Sequence, residues 1–125
     1  MRHLLDVDML IACAVTSHTS HAKASKWLVG KQIVVCPLSE MGFLRVTTNP
    51  KAIGFTMKDA RSMLENFVSV NRVQRIPADL DALDSHPANF SQVTDHYLCD
   101  LAAKHGFKLA TLDAGIKHPF AEIIR

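Results

Sequence analysis

The stretch from Thr94 to Asp113 limits the possible folds of this chain more than any other, because a helix pattern in it leads directly into a buried strand pattern. Apolar residues recur at helical spacing after Thr94, which is a residue suited to cap the helix. Gly106 is placed to end the helix in the left-handed conformation. The apolar run at 107–112 predicts a strand that is buried on both faces and ends at Asp113.

The same alternation of strands and helices extends through the rest of the chain. Short runs of residues at 4–7, 33–36, 72–76 and 121–124 predict further strands, and Pro77 ends the third of them. The segments between them carry helical patterns, and one of these opens with Thr56 and Asp59, spaced as in a capping box. This alternation predicts an α/β fold with a mainly parallel sheet of about four to five short strands flanked by helices, in a single domain spanning 1–125.

Composition narrows the class of protein but does not identify it. The chain is 48% hydrophobic and 21% charged, and its net charge of +2 is too small to identify a nucleic-acid-binding protein. The three cysteines are widely spaced and lie among apolar residues, which favours buried thiols in a reducing compartment. Asp6 and Asp8 interrupt the first apolar run, so it does not resemble a signal peptide, and no run is long enough for a membrane span. We therefore expect a cytoplasmic protein that does not associate with membranes.

Four acidic residues stand at the ends of predicted elements, namely Asp6, Glu40, Asp95 and Asp113. The carboxyl ends of strands in an open α/β sheet are where ligands bind. Taken alone, Glu40 has the ordinary explanation of an acid that favours the first turn of a helix. Asp8 is likewise suited to cap the first helix, whereas Asp6 within an apolar strand is costly unless it is paired.

Four converging carboxylates repel one another, and protonation or a bound cation relieves that repulsion. Oxygen ligands without a partner cysteine or histidine suit Mg²⁺ or Mn²⁺ better than zinc. Such ions commonly serve phosphoryl chemistry, so the acids predict a phosphodiester or phosphomonoester substrate.

Other motifs are weaker. His96 and Asp100 are spaced by one helical turn and form a candidate metal pair, although this spacing is more common in surface ion pairs. Asp100 is also a candidate for orienting a metal ligand or a lysine. The sequence contains no glycine-rich nucleotide-binding motif and no nucleophilic serine elbow.

Four segments of the chain resemble the acidic motifs of the PIN-domain ribonucleases, and most closely those of the VapC-type toxins of type II toxin–antitoxin systems. The match covers nearly the whole chain in the right order, and this order makes the combined signal specific. The segments are LLDVDMLIA at 4–12, CPLSEMGFLRV at 36–46, VTDHYLCDLAAKHG at 93–106 and LATLD at 109–113.

The resemblance implies a PIN-like α/β/α sandwich with the activity of an Mg²⁺- or Mn²⁺-dependent endoribonuclease that cleaves transfer or ribosomal RNA. It implies that a cognate antitoxin inhibits the protein and that the chain forms a homodimer. The catalytic and metal-binding residues would be the four acids Asp6, Glu40, Asp95 and Asp113. Thr111 would hydrogen-bond within the site, and Arg45 would contact phosphate.

The chain departs from the family pattern at position 8, where Asp8 replaces the common asparagine. This fifth carboxylate either tunes metal affinity beside the site or caps the helix. The sequence is also compatible with two other functions. One is a haloacid-dehalogenase-like phosphatase, suggested by the acids at 6 and 8, although Leu10 replaces the expected threonine. The other is a PIN-like scaffold that binds RNA or a partner without catalysis.

Overall fold

A single sheet of five parallel strands forms the centre of the computed structural model, which describes residues 1–125. The order across the sheet is β3-β2-β1-β4-β5, and every neighbouring pair is parallel. This arrangement confirms the predicted α/β class and the mainly parallel sheet. The strands are β1 (Arg2–Leu5), β2 (Gln32–Val35), β3 (Gln74–Arg75), β4 (Lys108–Thr111) and β5 (Ala121–Ile123).

Five α-helices connect the strands. The Thr56 hydroxyl accepts a 3.1 Å hydrogen bond from the Asp59 N–H at the start of α4, as the capping pattern predicts. Gly106 follows α5 with a φ of 75°, the left-handed conformation expected there. Thr94 lies inside the first turn of α5 instead of capping it. None of the helices combines the length and the apolar character needed to cross a bilayer. They are α1 (Val7–Ala14), α2 (His21–Leu28), α3 (Pro37–Thr48), α4 (Met57–Val70) and α5 (Val93–Lys104).

The sheet separates two apolar layers because successive side chains on a strand point to opposite faces. On β1, Leu5 packs in a cluster with residues of α1, α2, α3 and α4. Its neighbour Leu4 packs in a second cluster with residues of α5. Both leucines are fully buried. The fold is therefore the predicted three-layer α/β/α sandwich, with α5 opposite the other helices.

Helix α3 lies unusually close to α1. A Cβ atom at Gly42 would lie 2.3 Å from Cγ2 of Val7, so only glycine permits this approach without displacing a buried contact. Val7 directly follows Asp6, and Glu40 lies half a turn before Gly42. The contact therefore fixes the first turn of α3 next to the end of β1.

Candidate active site

Asp6 stands at the junction of β1 and α1 and is almost fully buried, with 4% of its surface exposed. It caps α1, and its Oδ1 accepts a 2.8 Å hydrogen bond from the Met9 N–H. The expectation that Asp8 caps this helix is wrong, because β1 ends at Leu5 and α1 begins directly after Asp6. The cap fixes the carboxylate of Asp6 at the carboxyl end of the central strand.

Burial raises the pKa of Asp6 to about 6. Hydrogen bonds from the Thr111 hydroxyl and the Met9 amide oppose this rise, and the charges of Asp95 and Asp8 add to it. The ionised form of Asp6 is therefore disfavoured, although two donors already serve it. A positive charge at this position would restore the ionised form.

Thr111 links two of the acids from the end of β4, which neighbours β1 in the sheet. Its hydroxyl donates a hydrogen bond to Oδ2 of Asp6 and accepts one of 3.1 Å from the Asp113 N–H. Thr111 is fully buried, so these bonds form away from bulk water. The threonine thereby fixes both the rotamer of Asp6 and the chain direction at Asp113.

Asp95 and Asp113 complete a group of three acids. Asp95 lies in the first turn of α5, where burial and then the charge of Asp113 raise its pKa. Asp113 lies just beyond β4, is exposed, and accepts a 2.8 Å hydrogen bond from the Gly115 N–H. The two acids therefore line the same cavity, one from a helix and one from a loop.

These three acids line a common cavity of about 480 Å³, which we call the acidic cavity. Asp8 also lines it, and the Oδ1 of Asp8 accepts a 2.9 Å hydrogen bond from Nε2 of His18. The rest of the wall is apolar and includes no lysine, arginine or histidine; it is formed by Val7, Ile11, Val46 and Leu112.

Glu40, the fourth predicted acid, faces a different depression. It lies in the first turn of α3, and its Oε2 forms a 3.1 Å ion pair with the Arg75 guanidinium. Both residues line a cavity of about 430 Å³ between α3 and α4, which none of the other three acids reaches. The structure therefore groups Asp6, Asp95 and Asp113 and leaves Glu40 paired beside them.

Arg45 and Asp100, two other predicted site residues, also lie outside the acidic cavity. Arg45 is exposed on α3. Asp100 lies on α5, one turn beyond His96, and its Oδ1 accepts a 2.8 Å hydrogen bond from Nε2 of His118. Burial raises the pKa of Asp100, but the hydrogen bond from His118 and the other polar groups around the carboxylate outweigh it, so that the pKa is lowered.

Two residues that pair with predicted site residues, Arg75 and His118, carry no signal in the sequence. Arg75 lies 35 positions from Glu40, and His118 lies 18 positions from Asp100. Neither pair has a sequence spacing that predicts contact. The packing of the sheet and of the β4–β5 loop brings the partners together. His96, Asp100 and His118 form the one group of three or more metal-ligating side chains whose ligand atoms all lie within 4.8 Å of one another.

The acidic cavity has the chemistry of a site for a hard divalent cation. Its polar groups are carboxylates, which Mg²⁺ and Mn²⁺ prefer. Two of these carboxylates have raised pKa values because they are desolvated next to other acids. A cation in the cavity would remove that repulsion, so the residues present fit such an ion.

Comparison with known proteins places the chain in a family. It is 36% identical to the ribonuclease VapC38 of Mycobacterium tuberculosis over 121 residues, which cover 90% of this chain and 86% of that protein. It is 30% identical to the ribonuclease VapC29 of the same organism over 128 residues, which cover 98% of this chain and 94% of that protein. No family model matches the sequence.

A solved structure supports the same fold. The chain resembles the crystal structure of VapBC2 from Rickettsia felis bound to a DNA fragment from its promoter, with a TM-score of 0.59. The alignment covers 90% of this chain and 89% of that chain at 13% sequence identity. The full-length identity to the mycobacterial proteins, together with this shared fold, shows that the chain belongs to the VapC ribonuclease family.

Proposed function

We propose that this protein is the toxin endoribonuclease of a type II toxin–antitoxin pair and that it hydrolyses phosphodiester bonds of transfer or ribosomal RNA at the acidic cavity. One observation carries the assignment of the site: Asp6, Asp95 and Asp113 line a single cavity in which two of them have raised pKa values and no basic residue contributes. The ribonuclease activity named for the mycobacterial relatives supports RNA as the substrate.

The proposal includes Mg²⁺ or Mn²⁺ as the cofactor, held by Asp6, Asp95 and Asp113. When bound, such an ion activates water and neutralises the charge that develops on phosphate oxygens. The chain supplies the positioning. The Met9 amide and the Thr111 hydroxyl hold the Asp6 carboxylate, and helix α5 carries Asp95 to the other side of the cavity.

Glu40 and Arg75 have a proposed role at the edge of the site. Glu40 would reach the ion when its pair with Arg75 opens, and the exposed Arg75 would then contact an RNA phosphate. Arg45, on the exposed surface of α3, would contact RNA further from the cavity. Asp8 would tune the charge of the cavity without binding the ion, since His18 already pairs with it.

The structure and the relatives favour hydrolysis of RNA over the phosphatase alternative. A phosphatase of the haloacid-dehalogenase type needs its first acid as a free nucleophile. Both carboxylate oxygens of Asp6 accept hydrogen bonds, and 4% of the residue is exposed. The relatives are ribonucleases, and this argues against a binding scaffold without catalysis.

The partner of this protein and its place in the cell are also proposed. The solved VapBC2 complex supports a cognate antitoxin as the partner of this chain. We further propose that residues 1–125 act as one nuclease domain, that the protein forms a homodimer, and that it works in the cytoplasm.

End-group analysis of labelled RNA tests the chemistry. Attack of water on phosphorus breaks the bond to the 3′ oxygen, so the products should carry a 5′-phosphate and a 3′-hydroxyl. EDTA should stop cleavage, and Mg²⁺ or Mn²⁺ should restore it. The Asp6→Asn variant should be inactive under all these conditions, and the exposed Asp84→Asn variant should behave like wild type. Cleavage in EDTA that leaves 2′,3′-cyclic phosphate ends would contradict the proposal.

A further inference from the structure

We propose that His96, Asp100 and His118 form a second metal site, for a first-row transition metal ion such as Zn²⁺, that joins helix α5 to the β4–β5 loop. The proposal does not depend on catalysis at the acidic cavity. It rests on two histidines and one aspartate whose ligand atoms lie within 4.8 Å of one another.

The distances within this group suit a tetrahedral ion. Nε2 of His118 lies 2.8 Å from Oδ1 of Asp100, and Nε2 of His96 lies 3.6 Å from Oδ2 of the same carboxylate. In a tetrahedral zinc site with nitrogen and oxygen ligands, any two ligand atoms lie about 3.3–3.4 Å from each other. The observed separations lie on either side of this value, so small side-chain rotations would complete the geometry.

The composition of the group separates it from the acidic cavity. Imidazole nitrogen with one carboxylate suits Zn²⁺ and neighbouring transition metals, whereas the all-carboxylate cavity suits Mg²⁺ or Mn²⁺. The side chain of His118 is only 9% exposed, while those of His96 and Asp100 are about one-quarter exposed. One side of the group is therefore open for a water molecule as a fourth ligand.

The cysteines are poor competitors for such an ion. All three are buried. Burial raises the thiol pKa of Cys13 and Cys99 to about 12, so neither is readily available as the thiolate that binds metal.

Ion binding should alter one backbone hydrogen bond. The Phe120 N–H donates a 3.1 Å bond to Nδ1 of His118, so the proton of this neutral ring lies on Nε2 and points to Asp100. An ion on Nε2 takes the place of that proton, and the neutral ring then carries its proton on Nδ1. The Phe120 amide must lose its acceptor, which makes its resonance a direct reporter of the site.

The position of the site suggests what it does. His118 belongs to the same loop as Asp113, five residues earlier, and His96 directly follows Asp95 on α5. Asp95, His96 and Asp113 share the wall of a further cavity of about 270 Å³. An ion on the second site would therefore restrain the loop that carries Asp113 relative to the helix that carries Asp95.

Calorimetric titration of tag-free protein with Zn²⁺ in excess Mg²⁺, without RNA, tests the proposal. Wild type should bind one Zn²⁺ per chain, and His118→Ala and Asp100→Asn should each weaken binding by about ten-fold or more. His86→Ala removes an exposed histidine outside the group and should bind as wild type does. Asp95→Asn should retain Zn²⁺ binding, so loss of the catalytic site and loss of the zinc site are separable.

Amide spectra recorded in the same titration give a second readout. Zn²⁺ should shift the Phe120 resonance in wild type and in the His86→Ala control. If His118→Ala does not fold, as judged by circular dichroism, His118→Gln replaces it. Equal Zn²⁺ affinity in wild type and the His118 variant, or a loss in Asp95→Asn as large as that in Asp100→Asn, would overturn the proposal.

Discussion

The acidic cavity and the Glu40–Arg75 pair differ in the source of the charge that compensates each carboxylate. The cavity wall includes no basic residue, and Asp6 and Asp95 each lie near a further negative charge. Glu40 has the Arg75 guanidinium at 3.1 Å. An unpaired carboxylate in a partly desolvated site is unfavourable, whereas an ion pair satisfies it. The need for an external cation is therefore concentrated in the cavity, and in the proposed mechanism Glu40 binds that cation only after Arg75 releases it.

The largest expected effect tests the cavity side of this comparison. Asp95→Asn should reduce RNA cleavage by about 100-fold or more, which corresponds to about 2.7 kcal/mol of lost transition-state stabilisation. The fold should survive, because asparagine is acceptable in the first turn of α5 and the change removes repulsion from Asp113. Cleavage rates with far-UV circular dichroism measure both properties.

The matched control is Asp84→Asn, which removes an exposed acid that lines neither the acidic cavity nor the depression beside Glu40. It should cleave RNA at the wild-type rate. A folded Asp95→Asn protein with full activity would show that the acidic cavity is not the catalytic site.

The next effect concerns stability and pH. Burial raises the pKa of Asp6 to about 6, well above the value near 4 that an aspartate has in an unfolded chain. The folded protein therefore holds a proton that the unfolded chain releases, and stability falls as pH rises through this interval. The shift of about two units corresponds to about 3 kcal/mol, present at low pH and lost by about pH 7.

Asp100 and Glu122 have lowered pKa values, so their contributions to stability change with pH in the opposite direction to that of Asp6. Comparison of wild type with Asp6→Asn isolates the contribution of Asp6. Urea unfolding between about pH 4 and 7 should show the variant gaining up to about 3 kcal/mol relative to wild type as pH rises. Mg²⁺ at pH 7 should stabilise wild type and leave Asp6→Asn unchanged. A constant difference between the two proteins across this pH range would contradict a raised pKa at Asp6.

The sequence allows prediction of the features that depend on local periodicity. The strand and helix patterns give the parallel sheet and the three layers, and the positions at or near the ends of strands identify Asp6 and Asp113 as residues at one edge of the sheet. The assignment of the α1 cap fails because Asp6 and Asp8 are both suited to cap a helix. A shift of two residues in the predicted end of β1 decides between them.

Contacts between residues that are far apart in the sequence cannot be predicted from local periodicity. Arg75 lies at the end of a short strand, and nothing in its spacing from Glu40 indicates an ion pair. His118 is one of seven histidines and lies in a loop without periodicity. Both contacts follow from how β3 and the β4–β5 loop pack, which a single sequence does not show.

The smallest expected effect tests the paired side of the comparison. Arg75→Ala should reduce the Mg²⁺ concentration needed for half-maximal binding, because it frees Glu40 for the ion. The Arg75 side chain is 66% exposed and such pairs contribute at most about 1 kcal/mol, so the change should not exceed about five-fold. Arg61→Ala is the control, since Arg61 lines the same depression but pairs with Glu65.

In a Glu40→Gln background, Arg75→Ala should have no effect on Mg²⁺ binding measured by calorimetry without RNA. An equal gain in that background would mean that Arg75 influences the ion without acting through Glu40, and the proposed competition between Arg75 and the cation would be wrong.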